Sequence, residues 1–350
     1  MQDIIDQLAA EAFASGATDL FLCEGEIPRV RINGDIQALG NHTLERESLA
    51  NFWQTCNTDP INDLEKDTSY VIPGGHRLRV NLYKSLGNLC SVLRPINDEV
   101  PCMKSLGLPT DLIQNWMRQN SGIIIVSGPT GSGKSTTIAS ALQWVNESLA
   151  RHIVTIEDPI EYLFSNQLSY FSQRELNSDT TSFASALRAS LRQSPDIILL
   201  GEIRDIDTAK TALQAAETGH LVVTTLHSSG VTDTLDRIIH LFGENSRAAL
   251  LKLLSQHLVG IISQQLVPCK QGGQMIALEH LQNEAATRTW IRDNDLTKIS
   301  DHINREDNSA NCSFVRYLVA AVEQGYLDQD IGRQTAPNAQ DFDRLLRGIK

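Results

Sequence analysis

Gly128-Pro129-Thr130-Gly131-Ser132-Gly133-Lys134-Ser135-Thr136 follows the strand-sized aliphatic run Ile123-Ile124-Ile125-Val126 and precedes a helical pattern over 134–147. The stretch satisfies G-x-x-x-x-G-K-[ST], and strand, glycine-rich loop and helix in that order are the context a phosphate loop needs. Glycines let backbone N–H groups wrap an anion closely, and the N-terminus of the following helix adds a favourable dipole. Residues 128–136 are therefore expected to cradle the phosphates of ATP, with Lys134 reaching the β- and γ-phosphates and the Ser135 hydroxyl on Mg²⁺. The competing reading, a glycine-rich turn without a ligand, would make the flanking strand and helix coincidental.

Such a loop implies a nucleotide but leaves the chemistry open. Hydrolysis also needs an acid near the Mg²⁺ and a carboxylate that positions or activates water. Parallel sheets present such groups at the carboxyl ends of neighbouring strands. Asp196-Ile197-Ile198-Leu199-Leu200-Gly201-Glu202 reads as a buried strand ending in an acid, with Gly201 where many ATPases carry Asp. Glu202 is expected to serve the Mg²⁺ and its water shell. A strand over 152–156 ends in Glu157-Asp158-Pro159-Ile160-Glu161, and these carboxylates could equally be helix caps and surface charge. His220 and His227 flank a third strand, Leu221 to Leu226, and their odd spacing places them on opposite faces of a regular strand, which argues against a shared metal. His227 falls at the carboxyl end, where a γ-phosphate sensor belongs, whereas His220 alone reads as structural.

Outward from the loop, strands at 122–127, 152–156, 196–201 and 221–226 alternate with helices near 134–147, 181–193, 206–217 and 244–265. That alternation predicts βαβ units and a mainly parallel sheet. Residues 1–95 read as a separate small α/β unit: a helix around Ile4 to Ala12, a strand at Asp19 to Leu22, a hairpin turning at Asn33-Gly34, and strands at 78–82 and 89–93. Residues 96–109 are polar and proline-punctuated, as in a linker, and 110–350 form the second domain, helical and polar beyond about 280.

The 350 residues suffice for two cores. No apolar run approaches the roughly 20 residues of a membrane span. The acidic start, Met1-Gln2-Asp3, lacks the basic region of a signal peptide, so membrane association is expected only through a partner. A net charge of −12 counts against nucleic acid as a default ligand. Six scattered cysteines with no C-x-x-C pair read as reduced thiols rather than a zinc module.

Taken together the segments resemble the secretion-ATPase family that powers type IV pili and type II secretion, and within it the PilT-like pilus retraction ATPases. Four boxes stand in order: the Walker A loop at 128–136, an Asp box at Thr155 to Glu161, a Walker B at 196–205 ending Gly201-Glu202-Ile203-Arg204-Asp205, and a His box from Thr218-Gly219-His220 to His227. The resemblance implies an α/β fold with a RecA-like ATPase core behind a small PAS-like N-terminal domain. It also implies Glu161 as general base, Glu202 as the Walker B acid, and both His220 and His227 as functional. Family members work as hexamers with ATP between neighbouring subunits, which makes Arg79 and Arg94 candidates to stabilise γ-phosphate charge across the interface. An inner-membrane platform protein, other pilus ATPases and a cytoplasmic position at a pilus base are implied on the same ground.

The chain is short and lacks the tetracysteine motif of assembly and secretion ATPases, while Ala286-Thr287-Arg288-Thr289-Trp290-Ile291-Arg292-Asp293 resembles a late motif of retraction ATPases with both arginines kept. Phe21 stands where that family usually has His. Retraction is therefore the leading reading, with pilus assembly or type II secretion, nucleic-acid translocation and a non-hydrolysing regulatory role as alternatives.

Overall fold

The computed structural model describes residues 4–96, 99–304 and 310–348. Met1 to Asp3 and two positions of the expected linker, Asn97 and Asp98, lie outside these. The chain divides into two units, Met1–Asp98 with Pro159–Leu163, and Glu99–Asp158 with Phe164–Lys350.

In the first unit, α1 (Ile4–Ala14) leads to β1 (Asp19–Cys23), β2 (Arg29–Ile32) and β3 (Asp35–Ala38); α2 (Arg46–Thr55), β4 (Glu65–Val71), β5 (Arg77–Ser85) and β6 (Asn88–Pro95) follow. The strands form an antiparallel sheet in the order β3-β2-β1-β6-β5-β4. Asn33 (φ 52°) and Gly34 (φ 93°) take the two positive-φ positions of the β2–β3 hairpin. One sheet face buries Leu20, Leu22, Val80 and Leu93 against Ile5 and Ala9 of α1 and Leu49, Phe52 and Trp53 of α2. Helix α2 and strand β4 were not expected, because Glu65-Lys66-Asp67-Thr68 is too polar to read as a strand.

The other sheet face is charged. Asp19 lies opposite Arg31 in the β1–β2 ladder and Arg79 opposite Arg94 in the β5–β6 ladder. Arg94 and Arg31 both reach the Asp19 carboxylate, the latter at 3.4 Å, and the Arg31 guanidinium also covers the Phe21 ring. Cys23 and Cys90, cross-strand neighbours with Cα atoms 4.2 Å apart, form a disulfide, which corrects the expectation that all six cysteines are free.

The second unit holds α3 (Thr110–Met117), β7 (Gly122–Ser127), α4 (Lys134–Ser148), β8 (His152–Glu157), β9 (Tyr170–Glu175), α5 (Phe183–Ser190), β10 (Ile197–Leu200), α6 (Ile206–Glu217) and β11 (Leu221–Leu226). It continues through α7 (Val231–Leu241), α8 (Glu244–His257), β12 (Leu258–Pro268), β13 (Gln274–Gln282), α9 (Ala285–Arg292), α10 (Leu296–Ile303), α11 (Phe314–Glu323), α12 (Gln329–Thr335) and α13 (Ala339–Leu346). Among the described residues the sheet order is β13-β12-β7-β11-β10-β8-β9, parallel throughout except for the antiparallel edge strand β13. Helices cover both faces, which is why the strands read as unbroken apolar runs. Along β7 the side chains alternate: Ile123 and Ile125 join the core under α6 and α8, and Ile124 and Val126 the core under α3 and α4. Helices α11 and α13 pack with Val267 and Ala277 of the β12–β13 pair. The helix expected over 244–265 ends at His257, and the rest of that stretch is β12.

Burial alone would raise the Asp19 carboxyl, but hydrogen bonds from Arg94 and Thr18 and the charges of Arg94 and Arg31 outweigh it and hold it below its usual value. A carboxyl depressed in the folded chain lends stability that is present above its unfolded pKa, about 3.9, and fades as pH falls through the folded value. Asp19→Asn should therefore cost the first unit about 1.5–3 kcal/mol at pH 7, read by urea unfolding, with the deficit shrinking as pH is taken below about 4.

Candidate active site

Strands β8, β10, β11 and β7 lie side by side in register, with Ile156 beside Leu200, Leu200 beside Thr224 and Leu226 beside Ser127. Their carboxyl ends therefore deliver Asp158, Glu202, His227 and the glycine loop to one edge of the sheet. The loop takes its shape from positive φ angles at Gly128 (149°), Gly131 (78°) and Gly133 (85°). A Cβ on Gly128 would collide with the Gln264 carbonyl oxygen and lie 2.6 Å from Ser132 Oγ, so no other residue fits there. Helix α4 starts directly after Gly133 with no side-chain cap and no acid in its first turn, which leaves the positive end of its dipole unmasked.

The nearly buried Lys134 ammonium sits inside this loop, donating to the carbonyls of Gly128 and Pro129 at 2.9 Å each. Gln264, fully buried on β12, donates from Nε2 to the Ser132 carbonyl at 2.7 Å and so braces the loop from the neighbouring strand. The sequence pattern does not single out Gln264, because its segment reads as helix. The signal was there in Ser263-Gln264-Gln265, a polar break inside an apolar run.

Glu202, whose side chain is 18% exposed, sits in a chain of charges at the strand ends. The Arg204 guanidinium donates to Glu202 Oε1 and lies 3.7 Å from Asp158 Oδ2, while His227 Nε2 lies 3.4 Å from Glu202 Oε2. The Glu202 hydrogen bond, with the Glu202 and Asp158 charges, raises the Arg204 pKa above its usual value. The Thr225 hydroxyl donates to the Gly201 carbonyl at 2.6 Å, fixing the turn that aims Glu202. A Cβ on Gly201 would lie 3.2 Å from the Ile156 carbonyl, so the small residue lets β10 end tight against β8.

His220 is not brought to the loop. It lies at the amino end of β11, about 20 Å along the strand from His227, with Nδ1 3.1 Å from the Ala215 carbonyl. Glu161 is exposed and belongs to the Pro159–Leu163 segment of the first unit, as do Arg79 and Arg94 to that unit's sheet. The Lys134 ammonium, the backbone N–H groups of the glycine cradle and the Ser135 hydroxyl are donors that fit a triphosphate. A carboxylate and a hydroxyl are the oxygen ligands that a phosphate-borne Mg²⁺ takes.

A mainly parallel sheet with a glycine loop entering α4 and acids at the adjacent strand ends defines a RecA-like P-loop ATPase. Residues 74–319 match the type II/IV secretion system protein family, and the chain belongs to that family. It is 35% identical over 343 residues to the type IV pilus retractation ATPase of Pseudomonas aeruginosa, covering 97% of this chain and 99% of that one. It is 36% identical over 321 residues to a twitching motility protein of Neisseria gonorrhoeae, covering 90% and 86%. The crystal structure of the pilus retraction motor PilT with bound ADP superposes with a TM-score of 0.89 at 36% identity, over 98% of this chain and 99% of that one. No helix among the described residues is long and apolar enough to cross a membrane.

Gln264→Leu would strand the Ser132 carbonyl in a buried place. It is expected to lower stability by about 1–3 kcal/mol and to weaken nucleotide binding several-fold, measured by melting with and without ATP.

Proposed function

We propose that the chain is an ATP-hydrolysing motor subunit that drives type IV pilus retraction. It acts as a homo-hexamer on an inner-membrane platform protein, from the cytoplasmic side of a pilus base. In this reading 1–95 is a PAS-like domain, 96–109 a linker and 110–350 the ATPase domain. The observation that carries the chemistry is Lys134 held within a glycine loop, with Glu202 and His227 paired at the next strand ends. Near full-length likeness to a pilus retraction ATPase carries the biological assignment.

Gly128 to Thr136 hold the phosphates through backbone N–H groups, and Lys134 leaves its carbonyl partners for the β- and γ-phosphates. Ser135 and Glu202 hold the Mg²⁺, which when bound neutralises charge developing on the phosphates. His227 reports the γ-phosphate to Glu202. Glu161 positions the attacking water and takes its proton. Arg79 and Arg94, adjacent on one sheet face, offer a fork of positive charge to the γ-phosphate of a neighbouring subunit. His220 secures the turn between α6 and β11.

Purified protein should release phosphate from ATP, and Lys134→Ala should abolish this along with nucleotide binding. Glu161→Gln should keep binding and lose turnover by about 10²-fold or more; normal hydrolysis by that variant would overturn the base assignment. Mixing Arg94→Ala with Glu161→Gln subunits should restore part of the rate, because both lesions can fall in one interface and leave another intact. In the cell, gene deletion should leave extra pili that do not retract, and loss of pili would sink the retraction reading.

A further inference from the structure

Glu279 is a half-buried carboxylate in the middle of the edge strand β13, outside every role given so far. Its Oε1 accepts the backbone N–H of Val231 at 2.6 Å and its Oε2 that of Phe314 at 3.4 Å. These are the first residues of α7 and α11, so one side chain caps two helices that lie more than eighty residues apart in sequence. Helix α7 has no side-chain cap of its own, since Gly230 precedes it, and a Cβ on Gly230 would lie 3.1 Å from Glu279 Oε1. Burial, together with the nearby Asp233, pushes the Glu279 carboxyl up, against the two N–H groups that favour its charged form. A carboxylate kept there despite the cost of burial needs a compensating task, and two helix dipoles meeting at one anion supply it.

The α7 end of this cap touches the candidate active site twice. Thr234 Oγ1 lies 2.8 Å from Ser127 Oγ, immediately before the phosphate loop, and 2.7 Å from Ser228 Oγ. Arg237 donates to the His227 carbonyl at 2.7 Å. The α11 end belongs to the C-terminal helices, which pack among themselves and on β12–β13. Beside the cap, a cavity of about 1120 Å³ is lined by Thr232 and Asp233 of α7 and by Asn338 and Asp341 next to and on α13. The α7 start and the C-terminal helices are thus held across this space by the Glu279 carboxylate.

We propose that Glu279 is a positioning residue: it pins the start of α7, and with it Ser127 and His227, to the start of α11, so that nucleotide-dependent movement at the loop is passed to the C-terminal helices. The inference rests on the reading of the site as a nucleotide-hydrolysing one, but the cap itself can be tested without nucleotide. Hydrogen exchange followed by mass spectrometry is run on the wild type, Glu279→Ala and Glu279→Gln, alone and with a non-hydrolysable ATP analogue. Without nucleotide, Glu279→Ala should speed exchange at both Val231 and Phe314 about tenfold, as expected for a lost hydrogen bond. Glu279→Gln keeps one acceptor and sets an NH₂ against the other N–H, so it should speed one of the two.

With the analogue, the wild type should slow in both 231–236 and 313–317, whereas Glu279→Ala should slow only in the first. In ATP turnover the Ala variant should lose about tenfold in kcat with KM within about twofold, because the loop's own contacts stay intact. A C-terminal segment that responds to the analogue in Glu279→Ala as it does in the wild type overturns the proposal. So does a wild type that binds the analogue without any change at 313–317. If Glu279→Ala does not fold, Glu279→Gln takes its place, with faster exchange expected at one of the two amides and a weakened response to the analogue at 313–317; an unchanged response there overturns the proposal. A wild type that binds the analogue but fails to turn over ATP removes the functional reading and leaves the exchange result to decide the cap.

Discussion

Everything at the sheet edge depends on a backbone that turns in a way side chains forbid. Gly128 lies so close to the β12 backbone that a single added carbon would strike the Gln264 carbonyl. The loop can therefore curl tightly enough to bring its own carbonyls onto the Lys134 ammonium. The curl is not self-supporting: the Gln264 amide holds the Ser132 carbonyl from the neighbouring strand, and the loop's geometry is set as much by β12 as by its own sequence. A buried amide is suited to this, because it fixes a carbonyl by direction without adding a charge that would compete with phosphate.

The acidic strand ends are organised by the same economy of short turns. Gly201 lets β10 finish against β8, Thr225 ties that turn to β11, and Glu202 then emerges between Arg204 and His227. Arg204 spans Glu202 and Asp158, so two carboxylates that would repel one another share one cation. Such a chain of alternating charge is stable at rest and changes when any member is drawn to a new partner, which is the property a site that cycles between nucleotide states needs.

The loop and the strands around it were legible because their signals are local: a motif with glycines at fixed offsets, and apolar runs bounded by turns. Strands β7, β8, β10 and β11 lie where the pattern puts them. The β12–β13 pair was not legible, because α8 and β12 are continuous in sequence and Leu258 to Val267 is apolar enough for either periodicity. That miss hid Gln264 and Glu279 together, since both act through long-range contacts from those strands. Helix α2 packs its Phe52 and Trp53 against the sheet, yet its polar face masks the period. The cysteine reading failed at Cys23 and Cys90 for a related reason: their proximity comes from strand pairing across 67 residues, not from spacing. Glu161 remains a sequence-based assignment, resting on its box.

The charged face of the first unit carries a further consequence. Arg31 and Arg94 flank the Asp19 carboxylate there, with Arg79 beside Arg94 and the Asp67 carboxylate on the next strand, inside a chain whose overall balance is −12. The Arg31, Arg94 and Arg79 row is locally cationic in an otherwise anionic molecule, and an approaching polyanion is drawn toward that row before any contact forms. That pull is screened over about 8 Å at physiological ionic strength, so the rate at which anions arrive depends on salt, while the close grip of glycine N–H groups is screened much less.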